Sequence, residues 1–168
     1  MNGDILLRRV IETVQEIVLK IGDSSGSISL YYPAEDPPAL EEELLSAASD
    51  FGGITAEALP GRIRVNISES ESARISAMPH DERMVDVIGL LNSGTDIGSF
   101  RDAILSKYEG AVLTEVRRLD HDWVLTFPDD DNIYCLSEEF GRLTYHRFYR
   151  DEYLAFGYTL RGVSETLL

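Results

Sequence analysis

The chain has 168 residues, of which 43% are hydrophobic, so it is long enough to bury a core and too apolar for global disorder. No apolar run approaches the roughly 20 residues that a membrane span needs, so no membrane partner is expected. The single cysteine excludes an internal disulfide and favours a cytoplasmic location. We expect one soluble globular domain over residues 1–168, with 160–168 as a flexible tail.

The charge is acidic along the whole chain. Thirty Asp and Glu oppose fifteen Lys and Arg, which leaves a net charge of −15. Acids outnumber bases by 11 to 3 in residues 1–60, by 8 to 6 in 61–110 and by 11 to 6 in 111–168. Because binding to a phosphate backbone needs Lys and Arg, direct contact with nucleic acid is not expected. The same charge suits a solvated surface, a basic protein partner or mimicry of nucleic acid.

The first half of the chain predicts helices and a hairpin. Apolar residues recur at three- and four-residue steps over 4–21, which predicts a helix. A strand follows at Ile28–Tyr32, and Asp36 before two prolines is typical of a helix N-terminus. Residues 54–68 alternate around the turn signal Pro60-Gly61, which predicts a hairpin. The polar stretch SESESARIS is open between loop and early helix.

The second half changes from helices to strands. A helix is predicted over 79–91, and a second one is predicted to begin in a capping box from Ser99 to Asp102 and to run to about Tyr108. Short turn segments then separate β-rich runs, which predict a meander, and residues 151–158 predict a closing helical turn. These runs are GAVLTEVRRL, WVLTF, NIYCL and RLTYHRF. The predicted class is α+β, with an antiparallel sheet of meander and central hairpin packed against three to four helices.

Three short motifs do not support a catalytic or metal site. GDSSGS at 22–27 departs from the GDSGG pattern of chymotrypsin-like proteases at its fourth residue, and no histidine precedes it. PDDDN at 128–132 lacks the glycine and glutamate positions of a calcium loop and suits a polar turn. DHD at 120–122 offers too few ligands, and the three histidines have no metal-type spacing. No metal and no cofactor are therefore expected.

Cys135 and His146 raise the question of a Cys–His site. If the last hairpin turns at Phe140-Gly141, the two residues are directly opposite, within reach of each other. An imidazole can activate a thiolate, with Asp151 or Asp122 to orient it. However, a shift of one residue in register would separate the pair, and cysteine is among the most buried residues. A core cysteine beside a rim histidine is the favoured interpretation.

The run YHRFYRDEY is a candidate ligand or interface segment. On a strand, Tyr145, Arg147 and Tyr149 share one face, and His146, Phe148 and Arg150 share the other. Tyr and Arg are enriched where proteins bind partners. Arg147 or Arg150 could equally pair with Asp151 or Glu152 inside the fold. The candidate residues are Cys135, Tyr145, His146, Arg147, Tyr149, Arg150 and Asp151.

The patterns IYC…LTYHRFYRDEYLAFGY and SLYYP resemble an uncharacterised bacterial domain family, known as a domain of unknown function. The resemblance implies a bacterial cytoplasmic α+β protein and carries no activity, cofactor or catalytic residue with it.

Three functional hypotheses follow. The first is a soluble, non-catalytic binding or regulatory module with a protein partner of basic character, acting as a monomer or homodimer. The second is a small-ligand or hydrolytic site around Cys135, His146 and Arg147. The third is an acidic mimic of nucleic acid that inhibits a DNA-binding protein. No complete catalytic or phosphate-binding motif occurs, which favours the first.

Overall fold

Six helices and seven strands form within residues 1–22 and 26–155, the parts of the chain that the computed structural model describes. The helices are α1 Gly3–Ile21, α2 Pro37–Ala47, α3 Glu69–Ser76, α4 Glu82–Asn92, α5 Ile97–Lys107 and α6 Arg150–Ala155. The strands are β1 Ile28–Pro33, β2 Ile54–Leu59, β3 Arg62–Ile67, β4 Val112–Glu115, β5 Trp123–Thr126, β6 Asn132–Glu139 and β7 Arg142–Tyr149. The predicted α+β class with antiparallel strands is confirmed, and the strands form two sheets.

The chain divides into two compact units, one of residues 1–85 and one that begins at Asp86. The single domain expected over 1–168 therefore stays a prediction. Residues 23–25 of the GDSSGS loop, the end of the predicted 151–158 turn and the predicted tail at 160–168 lie outside the described residues. Within the described ranges, no helix combines the length and the apolar content that crossing a membrane requires.

The first unit packs α1, α2 and α3 with a three-stranded sheet of order β1-β3-β2. Helix α1 begins at the N-cap Asn2, whose side chain accepts a hydrogen bond from the Ile5 amide at 2.9 Å. Its apolar stripe is buried because it faces the sheet core, as the three- and four-residue spacing predicts. The buried core includes Leu6, Val10, Val14, Leu44, Ile63, Val65 and Ile75.

The second unit contains a four-stranded meander of order β4-β5-β6-β7, with apolar side chains on both faces. One face packs with residues of α4 and α5. The core cluster formed there includes Leu91, Phe100 and Ile104 from the helices and Tyr134 and Leu136 from β6. The other face is smaller and includes Val124, Ile133, Cys135 and, from α6, Tyr153. Because β6 is buried on both faces, five successive residues from Asn132 to Leu136 are buried.

One stretch that the sequence left open is a helix, and one local prediction needs revision. The open SESESARIS stretch forms α3, because Ser68 caps it by accepting a hydrogen bond from the Glu71 amide at 3.2 Å. The predicted capping box from Ser99 to Asp102 is wrong. Asp96 is the N-cap of α5, and its carboxylate accepts the Ser99 amide at 2.8 Å. This hydrogen bond and one from the Ser99 hydroxyl hold the pKa of Asp96 below its usual value.

The predicted strand through Leu119 is also shorter than expected. Strand β4 ends at Glu115, and Arg117 has φ of 49°, in the left-handed region that does not continue a strand. Residues 116–122 therefore form a long turn between β4 and β5. The turn positions the candidate site described next.

Candidate functional site

Two turns lie at the same end of the second sheet, because alternate turns of a meander come to the same edge. One is the turn 116–122 and the other is Phe140-Gly141 between β6 and β7. Each carries a large apolar side chain that is fully exposed: Leu119 at 109% and Phe140 at 105% relative accessibility. We call these two side chains and the charged residues around them, Asp120, Asp122, Glu138, Glu139 and Arg142, the paired-turn surface.

The Phe140-Gly141 turn has a backbone that does not favour phenylalanine. Glu139 lies opposite Arg142, so the loop has two residues, with φ of 52° at Phe140 and 77° at Gly141. Two-residue turns with positive φ at both positions prefer Asn-Gly or Asp-Gly. A bulky side chain at positive φ is an outlier. Neither the local backbone nor burial in the fold explains a phenylalanine here.

The turn 116–122 is an irregular hairpin with Leu119 and Asp120 at its apex. The Val116 amide donates to the Asp122 carbonyl at 2.8 Å, and the Arg118 amide donates to the His121 carbonyl at 2.8 Å. These hydrogen bonds hold the two sides of the turn together. They leave the Leu119 side chain pointing away from the fold, which accounts for its full exposure.

The two turns are joined by hydrogen bonds. The Ser137 hydroxyl donates to the Asp120 carbonyl at 3.0 Å, and the Glu138 amide donates to an Asp122 carboxylate oxygen at 3.3 Å. Both contacts run from β6, just before Phe140, to the turn that carries Leu119. Leu119 and Phe140 therefore belong to one surface.

A chain of side-chain hydrogen bonds fastens the Leu119 turn to α6. Arg118 Nε donates to the Tyr153 hydroxyl at 3.3 Å, and that hydroxyl lies 3.1 Å from His121 Nε2. His121 Nδ1 lies 2.8 Å from Asp120 Oδ1. Because an ionised carboxylate only accepts, Nδ1 carries the proton that bonds Asp120, and in that neutral tautomer Nε2 accepts from the Tyr153 hydroxyl. Burial raises the pKa of Tyr153, so the hydroxyl keeps its proton.

The charged residues on and beside the paired-turn surface differ in whether they have a partner within the fold. Arg117 Nε lies 2.8 Å from Glu115 Oε1, and Arg118 binds Tyr153. In the part of the chain that the structure describes, Glu138, Glu139 and Arg142 make no ion pair. Acids are therefore in excess around the two apolar side chains.

The structure places Cys135 directly opposite His146, in the register that a turn at Phe140-Gly141 predicts. Cys135 is only 2% exposed, whereas His146 is exposed, and no hydrogen bond joins the two among the described residues. Burial and the Asp120 carboxylate raise the pKa of the thiol to about 12, against the opposing effect of Arg118. A thiol with this pKa is protonated at neutral pH and is a poor nucleophile.

An aromatic row crosses the smaller face of the sheet. The His146 ring lies 4.6 Å from the Phe148 ring, centroid to centroid, and Phe148 lies 6.3 Å from Tyr153. Tyr153 in turn meets His121 edge to face at 5.7 Å. Tyr153 and Phe148 belong to the same small apolar cluster as Cys135, and the exposed His146 ring packs on Phe148 at the rim of that cluster.

The other predicted residues lie either on the face of the sheet that packs with α4 and α5 or at the start of α6. Tyr145 packs against Tyr134, and Arg147 lies over the Tyr149 ring at 4.9 Å while donating to the Asn132 side chain. Strand β7 ends at Tyr149, so the prediction that Arg150 shares a strand face with His146 is wrong. Arg150 and Asp151 are instead the first residues of α6. The structure thus separates the predicted residues into two faces and a helix.

Sequence reasoning missed Leu119, Phe140, His121 and Tyr153 as members of a site. The available signal was Phe-Gly in a two-residue hairpin turn, where Asn-Gly is the expected pair. Over the described residues, no group of three or more His, Cys, Asp or Glu side chains could hold a metal ion.

Comparison with known proteins gave one family match. The search of curated proteins and the search of solved structures each found no match to the chain. The model of the family described as "Domain of unknown function, E. rectale Gene description (DUF3877)" matches residues 35–157, which include most of the first unit's sheet and the whole paired-turn surface. The chain therefore belongs to this family of domains of unknown function.

Proposed function

We propose that this protein is a non-catalytic protein-binding module and that the paired-turn surface is where it binds. The observation that carries the proposal is Phe140, which is fully exposed and has a positive φ. The positive φ lowers the stability of the folded chain compared with an Asn or Gly at the same turn, and the exposed ring gains no burial that would offset this cost. A side chain that strains its turn and adds nothing to the core is explained by a role outside the fold.

The second apolar side chain supports the same proposal. Leu119 is also fully exposed, and hydrogen bonds link its turn to the strand that leads to Phe140. Transfer of one such side chain from water into an interface contributes about 1.5–3 kcal/mol. A few anchors of this kind supply most of the energy of a protein interface.

The alternative of a hydrolytic site around Cys135, His146 and Arg147 has less support. The thiol is buried with a raised pKa, and Arg147 is engaged by Asn132 and Tyr149. The third hypothesis, mimicry of nucleic acid, rests on the net charge of −15 alone.

The test is a differential capture from a lysate of the source cell. The bait proteins are the wild type, the double variant Leu119→Ser/Phe140→Ser and a control, Leu105→Ser, which changes an apolar side chain of α5 that is 39% exposed. We expect one protein at fixed stoichiometry on the wild type and on the control, and its loss from the double variant. If every retained protein stays with the double variant, the proposal is wrong.

A further inference from the structure

We infer that the partner segment bound by the paired-turn surface is basic and amphipathic, with two apolar side chains that pack on Leu119 and Phe140 and with Lys or Arg beside them. This inference rests on the proposed function and adds the chemistry of the partner. It is argued from the charged residues of the surface and from the distance between its two turns. Both observations are independent of the exposure of Leu119 and Phe140.

The charge around the two anchors, Leu119 and Phe140, is acidic. Four carboxylates surround the anchors: Asp120, Asp122, Glu138 and Glu139. The nearby Arg117 is paired with Glu115. Arg118 and Arg142 are then the cations beside these four acids, so acidic groups remain in excess by two. An acidic rim around apolar anchors is complementary to a partner with apolar side chains and basic neighbours.

The same charges disfavour two other occupants. A second copy would bring an equally acidic surface and a net charge of −15, so like charges would meet. A bilayer with anionic lipids repels the carboxylates that border both anchors, and juxtamembrane binding segments are basic. A basic protein segment meets no such repulsion.

The spacing of the anchors limits the partner further. The β4–β5 and β6–β7 turns are two strand intervals apart in the order β4-β5-β6-β7, which is about 10 Å at roughly 4.8 Å per interval. An extended polyproline II segment returns to the same face after three residues, a rise of about 9 Å, and a helix covers the distance in about two turns. The partner's two apolar residues are therefore expected at i and i+3 in a polyproline II segment, or at i and i+7 in a helix.

The experiment uses a random-peptide display library as the probe and the immobilised full-length chain as the target. Peptides are selected on the wild type and counter-selected on Leu119→Ser/Phe140→Ser, so that those remaining depend on the anchors. We expect them to be enriched in Lys and Arg and to carry two apolar residues at the stated spacing. Raised salt should weaken their binding, because ions screen the attraction of exposed charges.

A charge variant separates two claims: that the paired-turn surface binds a partner, and that this partner is basic. Glu138→Gln/Glu139→Gln keeps both anchors, and we expect it to weaken the selected peptides about threefold to tenfold. The control Glu109→Gln changes an exposed acid that precedes β4, at the opposite end of the second sheet, and should leave binding unchanged. Phosphatidylglycerol vesicles and analytical ultracentrifugation test the lipid and the second copy with the same variants.

Each outcome tests either the binding surface itself or the basic character of its partner. If no selected peptide depends on the anchors, the binding surface itself is refuted and the inference falls with it. If peptides depend on the anchors but lack basic residues and bind the Gln variant equally well, the surface stands and the basic partner is refuted. Vesicle binding or self-association that the Leu119→Ser/Phe140→Ser change abolishes would also overturn the basic partner.

Discussion

The two ends of the second sheet reverse the usual placement of polar and apolar residues. At the end formed by the β5–β6 turn, Asp130 and Asn132 are 8% and 3% exposed. At the other end, Leu119 and Phe140 are completely exposed. The same four strands lead to both ends, so the difference lies in what each turn contacts.

The polar end is closed by hydrogen bonds within the unit. One carboxylate oxygen of Asp130 accepts both the backbone amide and the side-chain amide of Asn132, each at 3.0 Å. Gly110, just before β4, packs so tightly that a Cβ there would lie 2.5 Å from a Pro128 side-chain carbon. Through this oxygen the buried carboxylate of Asp130 satisfies two amide donors that would otherwise be buried without an acceptor.

The apolar end has no comparable packing for its anchors. Hydrogen bonds position the two turns, but Leu119 and Phe140 themselves remain in water. The first end therefore contributes to the stability of the fold, whereas the second end presents apolar side chains to solvent. Five variants or conditions test this division, in decreasing order of expected effect.

The largest effect concerns Cys135, which lies between the two ends. A pKa raised from 9.0 to about 12 lowers the thiolate fraction about a thousandfold. Alkylation by iodoacetamide at neutral pH should therefore be roughly a hundredfold to a thousandfold slower in the folded chain than in a thiol peptide, as mass spectrometry can measure. The urea-unfolded chain is the control and should react at the peptide rate. Fast labelling of the folded chain would revive the Cys135–His146 site.

The same shift predicts a loss of stability in alkali. A thiol whose folded-state pKa is raised favours folding fully below its unfolded pKa near 9.0, and this contribution is lost as the pH rises toward about 12. Urea unfolding between these pH values should show a smaller decline for Cys135→Ala than for the wild type. Equal declines in both proteins would mean that the thiol is not the group responsible.

At the polar end, we expect Asp130→Ala to lower the free energy of unfolding by about 2–4 kcal/mol, because two buried amide donors lose their acceptor. Fluorescence of Trp123, the single tryptophan, reports urea unfolding of this unit. Asp129→Asn is the matched control, since Asp129 is exposed with φ of 55°, a conformation that Asn also tolerates. A change as small as that of the control would contradict the role given to Asp130.

We expect Tyr153→Phe to destabilise the second unit by about 1–2 kcal/mol, because the buried hydroxyl that links Arg118 and His121 is lost. Amide hydrogen exchange should speed up in residues 116–122 more than in β6 and β7. Tyr31→Phe, which alters a ring 53% exposed in the first unit, is the control. Uniform exchange across the sheet would show that α6 does not hold the Leu119 turn.

The smallest effect has the opposite sign. Phe140→Asn should raise the free energy of unfolding by about 0.5–1 kcal/mol, because Asn adopts positive φ more readily. Phe140→Ala keeps the unfavourable backbone and should change stability little. The Asn variant should at the same time lose the captured partner. A loss of stability in the Asn variant would mean that the ring supports the fold rather than a partner.

Much of the fold was predictable from local patterns. The helix over 4–21, the hairpin at Pro60-Gly61 and the meander after Ala111 all follow from apolar spacing and turn residues. The cap of α5 was misplaced because Ser99 and Asp96 are both good cap residues, and only the backbone geometry decides between them. A turn at Phe140-Gly141 was one possible register, and it implied the observed pairing of Cys135 with His146, but the sequence did not fix that register and did not indicate the paired-turn surface.

Local patterns were sufficient to predict most helices and strands and the acidic character, because these depend on neighbours within a few residues or on composition. The burial of Cys135 in one cluster with Tyr153, the attachment of the Leu119 turn to α6 and the common surface of Leu119 and Phe140 all depend on long-range contacts. These contacts join residues 17 to 35 positions apart in the sequence, and periodicity within a strand does not specify which strand will lie beside it.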